Sequence, residues 1–322
     1  MRHNLNQMVI HVQFFLTFDT EDFISDNSIQ SICMILKSLK KYDLKGLFFI
    51  TGHMAEKLCK FPNTVNLLNT HQIGYHTSSH SVHPALFEFT DIENYRDALK
   101  ESLLRETSHI NPITGAIEGK GGIHVLRELF PHKKIAAFRS PGHCWSPPHL
   151  EALKCLGVKY DFSANLSINP VNYMGIVFYP YHMDSGLWSG TFLEYLTLFK
   201  SFRNGTSVFT VHPSLMVNKF EWDSIYFKSN PEKIFQPDAR SPSEIMSYFQ
   251  KFDLFLRRLC DLQKLNFIEV TPPLEKAKQS FNPTKFETEK SYQKSIRWAT
   301  NHGYKPKYLK QHFLKFFDQD HL

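Results

Sequence analysis

The sequence predicts an α/β fold built on a parallel sheet, and three observations carry that prediction. Short apolar runs rich in β-branched and aromatic residues recur along the chain, as buried strands do. Longer stretches with apolar residues at helical spacing separate them. Each polar cluster suited to chemistry falls just after an apolar run, and α/β folds gather their active sites at the carboxyl ends of strands.

In chain order, Val9–Phe18 reads as the first buried strand and ends in Asp19–Thr–Glu21–Asp22. Asp26–Tyr42 follows with Ile29, Ile32, Ile35, Leu36 and Leu39 on one helical face. Lys45–Ile50 is a second strand, Met54–Leu68 a helix, and Gln72–Tyr75 a short strand running into His76. Ile92–Glu106 has a helical pattern, and the glycine-rich Ile113–Gly122 reads as a loop. Lys134–Phe138 is a strand that stops at Arg139–Ser–Pro141–Gly142. Pro148–Leu156 reads as a helix stopped by Gly157, and Val158–Phe162 as a strand. Asn165–Gly190, rich in Tyr, Pro, Gly and Asn, breaks the rhythm and reads as an irregular excursion over the site mouth. Thr191–Phe202 suggests a helix, Thr206–Val211 a strand ending at His212, Ser243–Lys264 a helix and Asn266–Val270 a last strand. The first 273 residues thus form the expected catalytic unit, and the lysine-rich 274–322 a separate helical tail.

The bulk composition narrows the function. Hydrophobic residues at 42% and charged residues at 21% describe an ordinary globular chain. The net charge of +6 resides partly in the tail, and no arginine-rich stripe or nucleic-acid motif occurs, which argues against a nucleic-acid partner. Five scattered cysteines without a CxxC suit reduced thiols in the cytoplasm. The polar start of the chain reads as lacking a signal peptide, and no apolar stretch is long enough for a bilayer. The expected setting is the cytoplasm or the inner face of a membrane.

His76 and His80 stand four residues apart, a spacing that places both on one side of a helical turn. Two neutral imidazoles so placed can share a divalent cation, with Zn²⁺ the common choice and Co²⁺, Ni²⁺ or Fe²⁺ alternatives on the same ligands. Among Asp19, Glu21 and Asp22, one carboxylate can ligate the metal and another take a proton from water, although all three also suit the first turn of the following helix. Arg139 can hold a carboxylate in fixed orientation. His212 can act as a general acid, with its pKa set by a carboxylate such as Asp161. Tyr173, Tyr179, Tyr181 and Trp188 cluster in the polar excursion, a pattern that suits stacking on sugar rings.

Thr17–Asp22 (TFDTED), His76–His80 (HTSSH), Phe138–Gly142 (FRSPG), Tyr160–Ser163 (YDFS) and Val208–His212 (VFTVH) come in the order in which the polysaccharide deacetylase (NodB-homology) family carries its motifs. The chain resembles that family over most of its first two-thirds, most specifically in Gln72–Pro84 (QIGYHTSSHSVHP). The resemblance implies a distorted (β/α) barrel with a metal in its mouth, followed here by a C-terminal helical extension. It implies Asp19 as catalytic base, His76 and His80 as metal ligands, and Arg139 as the residue that orients the base. Pro141 and Gly142 complete that loop, and Asp161 supports His212, the general acid. The family's first motif usually has two adjacent aspartates, the second binding metal. Thr20 occupies that position, so Asp22 is the expected third ligand, with Glu21 nearly its equal. Pro141, Gly142, Tyr181 and Trp188 are expected to face the sugar.

The implied activity is hydrolysis of an N-acetyl group on an amino sugar by metal-activated water, in cell-surface glycan synthesis. The substrate is expected to be nucleotide-linked, lipid-linked or oligomeric. Rival readings are a metal-dependent amidase, deformylase or acetyl esterase on another substrate, and an inactive glycan-binding protein.

Overall fold

The computed structural model describes residues 12–180, 183–184, 205–223, 236–277 and 279–318. The sheet is seeded by β1 (Val12–Thr20), which is buried along almost its whole length. β2 (Leu47–Ile50) pairs with it in parallel on one edge, and β3 (Gln72–Tyr75) pairs with β2. One helix separates β1 from β2 and two separate β2 from β3. α1 (Asp26–Lys41) is capped by Ser25 and buries Ile29, Ile32, Ile35, Leu36 and Leu39. The predicted helix over 54–68 is two helices, α2 (Gly52–Leu58) and α3 (Pro62–Leu68). Pro62 is the cause: it lacks the N–H that a helix interior needs but suits a first turn.

After the short α4 (Leu86–Phe89) comes α5 (Tyr95–Thr107), capped by Asn94. The segment read as a loop over 113–122 contains β5 (Ile117–Glu118), which pairs antiparallel with β4 (His109–Ile110). α6 (Gly122–Leu129) leads to β6 (Ala137–Phe138), and α7 (Pro147–Cys155) to β7 (Tyr160–Asp161). The excursion read as irregular adds three strands, β8 (Val171–Tyr173), β9 (Ile176–Phe178) and β10 (Met183–Asp184). A turn at Met174–Gly175, both with positive φ, joins β8 to β9 as a hairpin. β11 (Thr206–Val211), α8 (Pro242–Lys264) and β12 (Ile268–Val270) follow. The predicted helix over 191–202 lies outside the described residues.

The strand order is β10-β11-β1-β2-β3-β6-β7-β9-β8-β13, where β13 is Gln279–Ser280, and β12 pairs with the opening of β1. The sheet curls. Phe15 of β1 lies 5.7 Å from Phe162, just past β7, and 5.0 Å from Tyr179, just past β9, although three strands lie between β1 and β7 and four between β1 and β9 along the sheet. Phe15, Leu47, Phe49, Ala137, Phe162, Val177, Tyr179 and Val208 fill the inside of this half-barrel. The alternate residues of β1, Phe14, Leu16 and Phe18, face the outer helices in the larger core. The architecture is therefore the expected distorted α/β barrel.

The described part of the tail, expected as a helical appendix, packs on this body. β13 extends the sheet, and α9 (Lys285–Asn301) and α10 (Leu309–Phe317) pack against it. Trp145 is ringed by Phe313, Phe316 and Phe317 at 4.8–6.0 Å. The reason is visible in the sequence: beneath the lysines, α10 carries an apolar face of Leu309, Phe313, Phe316 and Phe317 that has to be covered. Tyr173, read as a sugar contact, is instead packed against Phe281, Phe316 and Phe317. Tyr179 belongs to the barrel interior.

Candidate active site

The inward alternation of β1 that buries Phe15 also turns Thr17 and Asp19 into the barrel. Arg139, directly after β6, meets them there. Its Nη1 donates to Asp19 Oδ1 at 2.7 Å and to Thr17 Oγ1 at 2.9 Å, while its guanidinium lies 4.4 Å from the Phe49 ring centre. Arg139 is wholly buried, so the Asp19 charge is what makes its burial tolerable. The Arg139 backbone also works: its N–H donates to Tyr75 O, and its carbonyl accepts from His76 Nδ1 at 2.7 Å. One residue thereby orients both an aspartate and a histidine.

His76–His80 is not the helical turn its spacing suggests. It is a loop in which Thr77 and His80 adopt φ of 63° and 48°, the left-handed region. The loop is held from behind. Glu106, buried on α5, accepts from the Ser78 N–H at 2.9 Å and the Tyr75 hydroxyl at 2.5 Å, and His149 Nε2 lies 2.6 Å from its other oxygen. Gly52 and Gly122 close the packing, since a Cβ on Gly52 would sit 2.6 Å from Gly122 Cα and 2.7 Å from Ser78 O. In this setting the imidazoles of His76 and His80 approach to 4.9 Å between centres.

The two rings share a carboxylate, that of Glu21. Its Oε2 lies 3.3 Å from His76 Nε2 and 3.0 Å from His80 Nε2. Asp22, the preferred candidate from sequence, points elsewhere. Its oxygens accept from the backbone N–H groups of Ile24 and Ser25, from Asn218 Nδ2 at 3.0 Å and from the Ser28 hydroxyl. Asp22 therefore anchors the turn into α1, a use that its place just before a helix start favours. Glu21, one residue beyond the end of β1, takes the position over the histidines.

The far nitrogens of both rings are also engaged. His80 Nδ1 lies 2.6 Å from Ser81 Oγ and 3.2 Å from Asp223 Oδ1, and the Ser81 hydroxyl donates to the same Asp223 oxygen at 2.6 Å. Burial opposes a charge on His80, but Asp223 and Glu21 outweigh it and raise its pKa to about 10. Burial likewise opposes ionisation of Glu21, yet His80, His76 and His212 hold its carboxyl well below the usual range.

His212, directly after β11, brings Nε2 to 3.7 Å from Asp19 Oδ2. Asp161 was expected to support it. Instead, Asp161 accepts from the N–H groups of Ser163 and Ala164 and from the Ser163 hydroxyl, while Ser163 Oγ accepts from the Ser140 N–H at 2.7 Å. Asp161 therefore braces the Arg139–Gly142 loop, and the carboxylate beside His212 is Asp19.

A cavity of about 380 Å³ opens onto Asp19, Glu21, His76, His80 and His212. Another wall is Lys294 and Trp298 of α9 with His302, the residue that caps it. Gly142 lines it too, at φ 59°, and a Cβ there would fall 2.0 Å from Trp298 Nε1. Pro141 is buried beside it. Tyr181 and Trp188 lie outside the described residues. Sequence reasoning missed Asp223, Glu106 and the α9 wall. Asp223 and Glu106 sit in no strand-end cluster, and only the acid-after-Trp pair at Trp222–Asp223 hints at a buried carboxylate.

Residues 12–160 match the model of the family described as polysaccharide deacetylase. Over that stretch the chain is similar to the polysaccharide deacetylase family. The matched stretch holds Asp19, Glu21, His76, His80 and Arg139, while Asp161, His212, Asp223 and the α9 wall lie beyond it. Similar solved structures include a CE4 esterase from Streptococcus mutans, at 16% identity over 82% of this chain and 88% of that one, with a TM-score of 0.42. A family 4 carbohydrate esterase from Bacillus anthracis is 17% identical over 79% of this chain and 83% of that one, TM-score 0.38. A CE4 family pseudoenzyme from the same organism is 12% identical over 77% and 62%, TM-score 0.39. No curated protein matches the chain. Among the described residues, no helix is long and apolar enough to cross a membrane.

Proposed function

We propose that this chain is a metal-dependent hydrolase that removes the N-acetyl group from an amino sugar. One observation carries the reading. The Nε2 atoms of His76 and His80 converge on a single Glu21 oxygen, while their Nδ1 atoms are held by the Arg139 carbonyl and by Ser81 and Asp223. Fixing the far nitrogen by a carbonyl or carboxylate is how metal-binding imidazoles are oriented. A donor set of two imidazoles and one carboxylate suits a cation of the zinc class with a position left open. Glu21, His76 and His80 would hold it, and such an ion polarises an amide carbonyl and lowers the pKa of water.

The rest of the chemistry belongs to the chain. Arg139 occupies Asp19 Oδ1, which leaves Oδ2 as the proton acceptor facing the cavity. Asp19 takes a proton from the attacking water. The C–N bond then breaks, and His212, the most accessible of the set at 19% side-chain exposure, donates a proton to the departing sugar nitrogen. The products are acetate and a free amine. Positioned acid–base groups of this kind contribute about 10²–10⁴-fold each.

The cavity of about 380 Å³ is near the lower end of small-molecule sites and suits one sugar ring at a time, whether that ring is nucleotide-linked, lipid-linked or one unit of an oligomer. The test is acetate release from a panel of N-acetylated sugars, free, nucleotide-linked and polymeric, together with formamide and O-acetyl analogues. Release of acetate from the amides, lost in Asp19→Asn, is the expected result. Turnover of the formamide or ester alone would replace the deacetylase reading with one of its rivals.

A further inference from the structure

We infer that the protein binds a second cation of the zinc class, between His53, Glu56 and His109. These residues lie outside the cavity that holds His76 and His80. His53 and Glu56 stand three apart on α2 and so share a face. His109, the first residue of β4, comes up opposite them. One oxygen of Glu56 lies 3.3 Å from His53 Nδ1, and the other lies 2.7 Å from His109 Nδ1. The two rings stand 5.5 Å apart at 77°, and a donor atom from each of the three residues lies within 4.8 Å of the others.

A tetrahedral zinc ion with bonds of about 2.0–2.1 Å keeps its donors about 3.4 Å apart. The observed separations of 2.7 and 3.3 Å lie close enough that small rotations of Glu56 and His109 reach that geometry. The simpler alternative is a hydrogen-bonded His–Glu–His chain. The surroundings favour a cation. Phe23, Phe61 and Pro112 wall the cleft together with the charged Asp26, Lys57 and Lys60, and the carboxylate sits half-buried between them. The Lys57 ammonium is engaged elsewhere, because its Nζ donates to Ile24 O and pairs with Asp26, each at 2.8 Å. Imidazole nitrogen in two of three places selects zinc-class ions over calcium or magnesium, which prefer oxygen.

The site also touches the active-site loop. The His53 N–H donates to Ser78 O and the Gly52 N–H to Thr77 O, both between His76 and His80. A cation that immobilises His53 therefore ties down the segment carrying the two histidines.

The experiment counts zinc bound by metal-stripped full-length protein, by calorimetric titration and elemental analysis. Wild type should bind two equivalents. His109→Ala and Glu56→Gln, both at partly exposed positions, should each bind one fewer and lose part of the zinc-dependent rise in melting temperature. His76→Ala should lose the other equivalent. If His109→Ala and Glu56→Gln bind as much zinc as wild type, the second site does not exist. Loss of an equivalent in these variants supports it, whether or not the protein releases acetate, so the outcome is independent of the deacetylase reading.

Discussion

Arg139 Nη1 and Asp19 Oδ1 meet at 2.7 Å with neither side chain exposed by more than 2%. The pair ties β6 to β1 across the barrel and fixes which Asp19 oxygen faces the cavity.

Asp19→Asn therefore has two effects. Removing one partner of a buried ion pair costs about 3–5 kcal/mol because it strands the other charge. Turnover should fall by at least about 10²-fold, since an amide cannot accept the proton. Chemical denaturation and acetate release measure these separately. Zinc content should be unchanged, because Asp19 is not among the three donors.

Glu21 and Asp22 separate cleanly. Glu21→Gln should lose one equivalent of zinc with the fold intact. Asp22→Asn should keep its zinc but unfold earlier in urea, by about 1–3 kcal/mol, because a buried acceptor of four hydrogen bonds is weakened. The reverse pattern would return the ligand role to Asp22.

His80 sets a pH dependence. Its pKa in the folded, metal-free protein is raised to about 10, mainly by Asp223 and Glu21 working against burial. The stabilisation from that proton is complete below the ordinary histidine value of about 6.5 and is lost as pH rises towards 10. A cation needs the neutral imidazole and must displace the proton throughout this window. Zinc affinity at this site should therefore weaken about tenfold for each unit that pH falls from 9 to 7. Chelator competition at three pH values checks this, and a flat profile contradicts it.

Trp298 walls the cavity from α9 against Gly142. Trp298→Ala should raise KM roughly tenfold with a smaller change in kcat and no loss of zinc, as removal of an aromatic wall weakens binding before chemistry. Gly142→Ala should be worse, since it combines an unfavourable φ, about 1–2 kcal/mol, with a collision against the indole. Steady-state kinetics and thermal unfolding distinguish the two.

Much of this was legible in the sequence because strands announce themselves. The apolar runs ending at Phe18, Ile50, Phe138 and Val211 placed Asp19, Arg139 and His212 at strand ends, and the parallel sheet then brought them to one rim. What was hidden has physical causes. Glu21 against Asp22 depends on which carboxylate the helix start captures, and Ser25, Ser28 and Asn218 decide that through tertiary contacts. The hairpin of β8 and β9 lay inside a segment whose Tyr, Pro and Gly content masks strand alternation. The C-terminal lysines concealed an apolar face that is plain only once Trp145 is seen among Phe313, Phe316 and Phe317.

β1 has β2 and β12 along one edge and β11 along the other, and the Leu16 N–H is satisfied by Thr271, 255 residues later. Val12–Phe14, at the opening of β1, therefore lack that neighbour until residues 268–271 have been made, while the far end of the strand can already pair with β2. Pairing across so wide a sequence gap is slow to close. Cutting the chain before residue 268 would leave the first half of β1 with backbone groups unmatched along that edge.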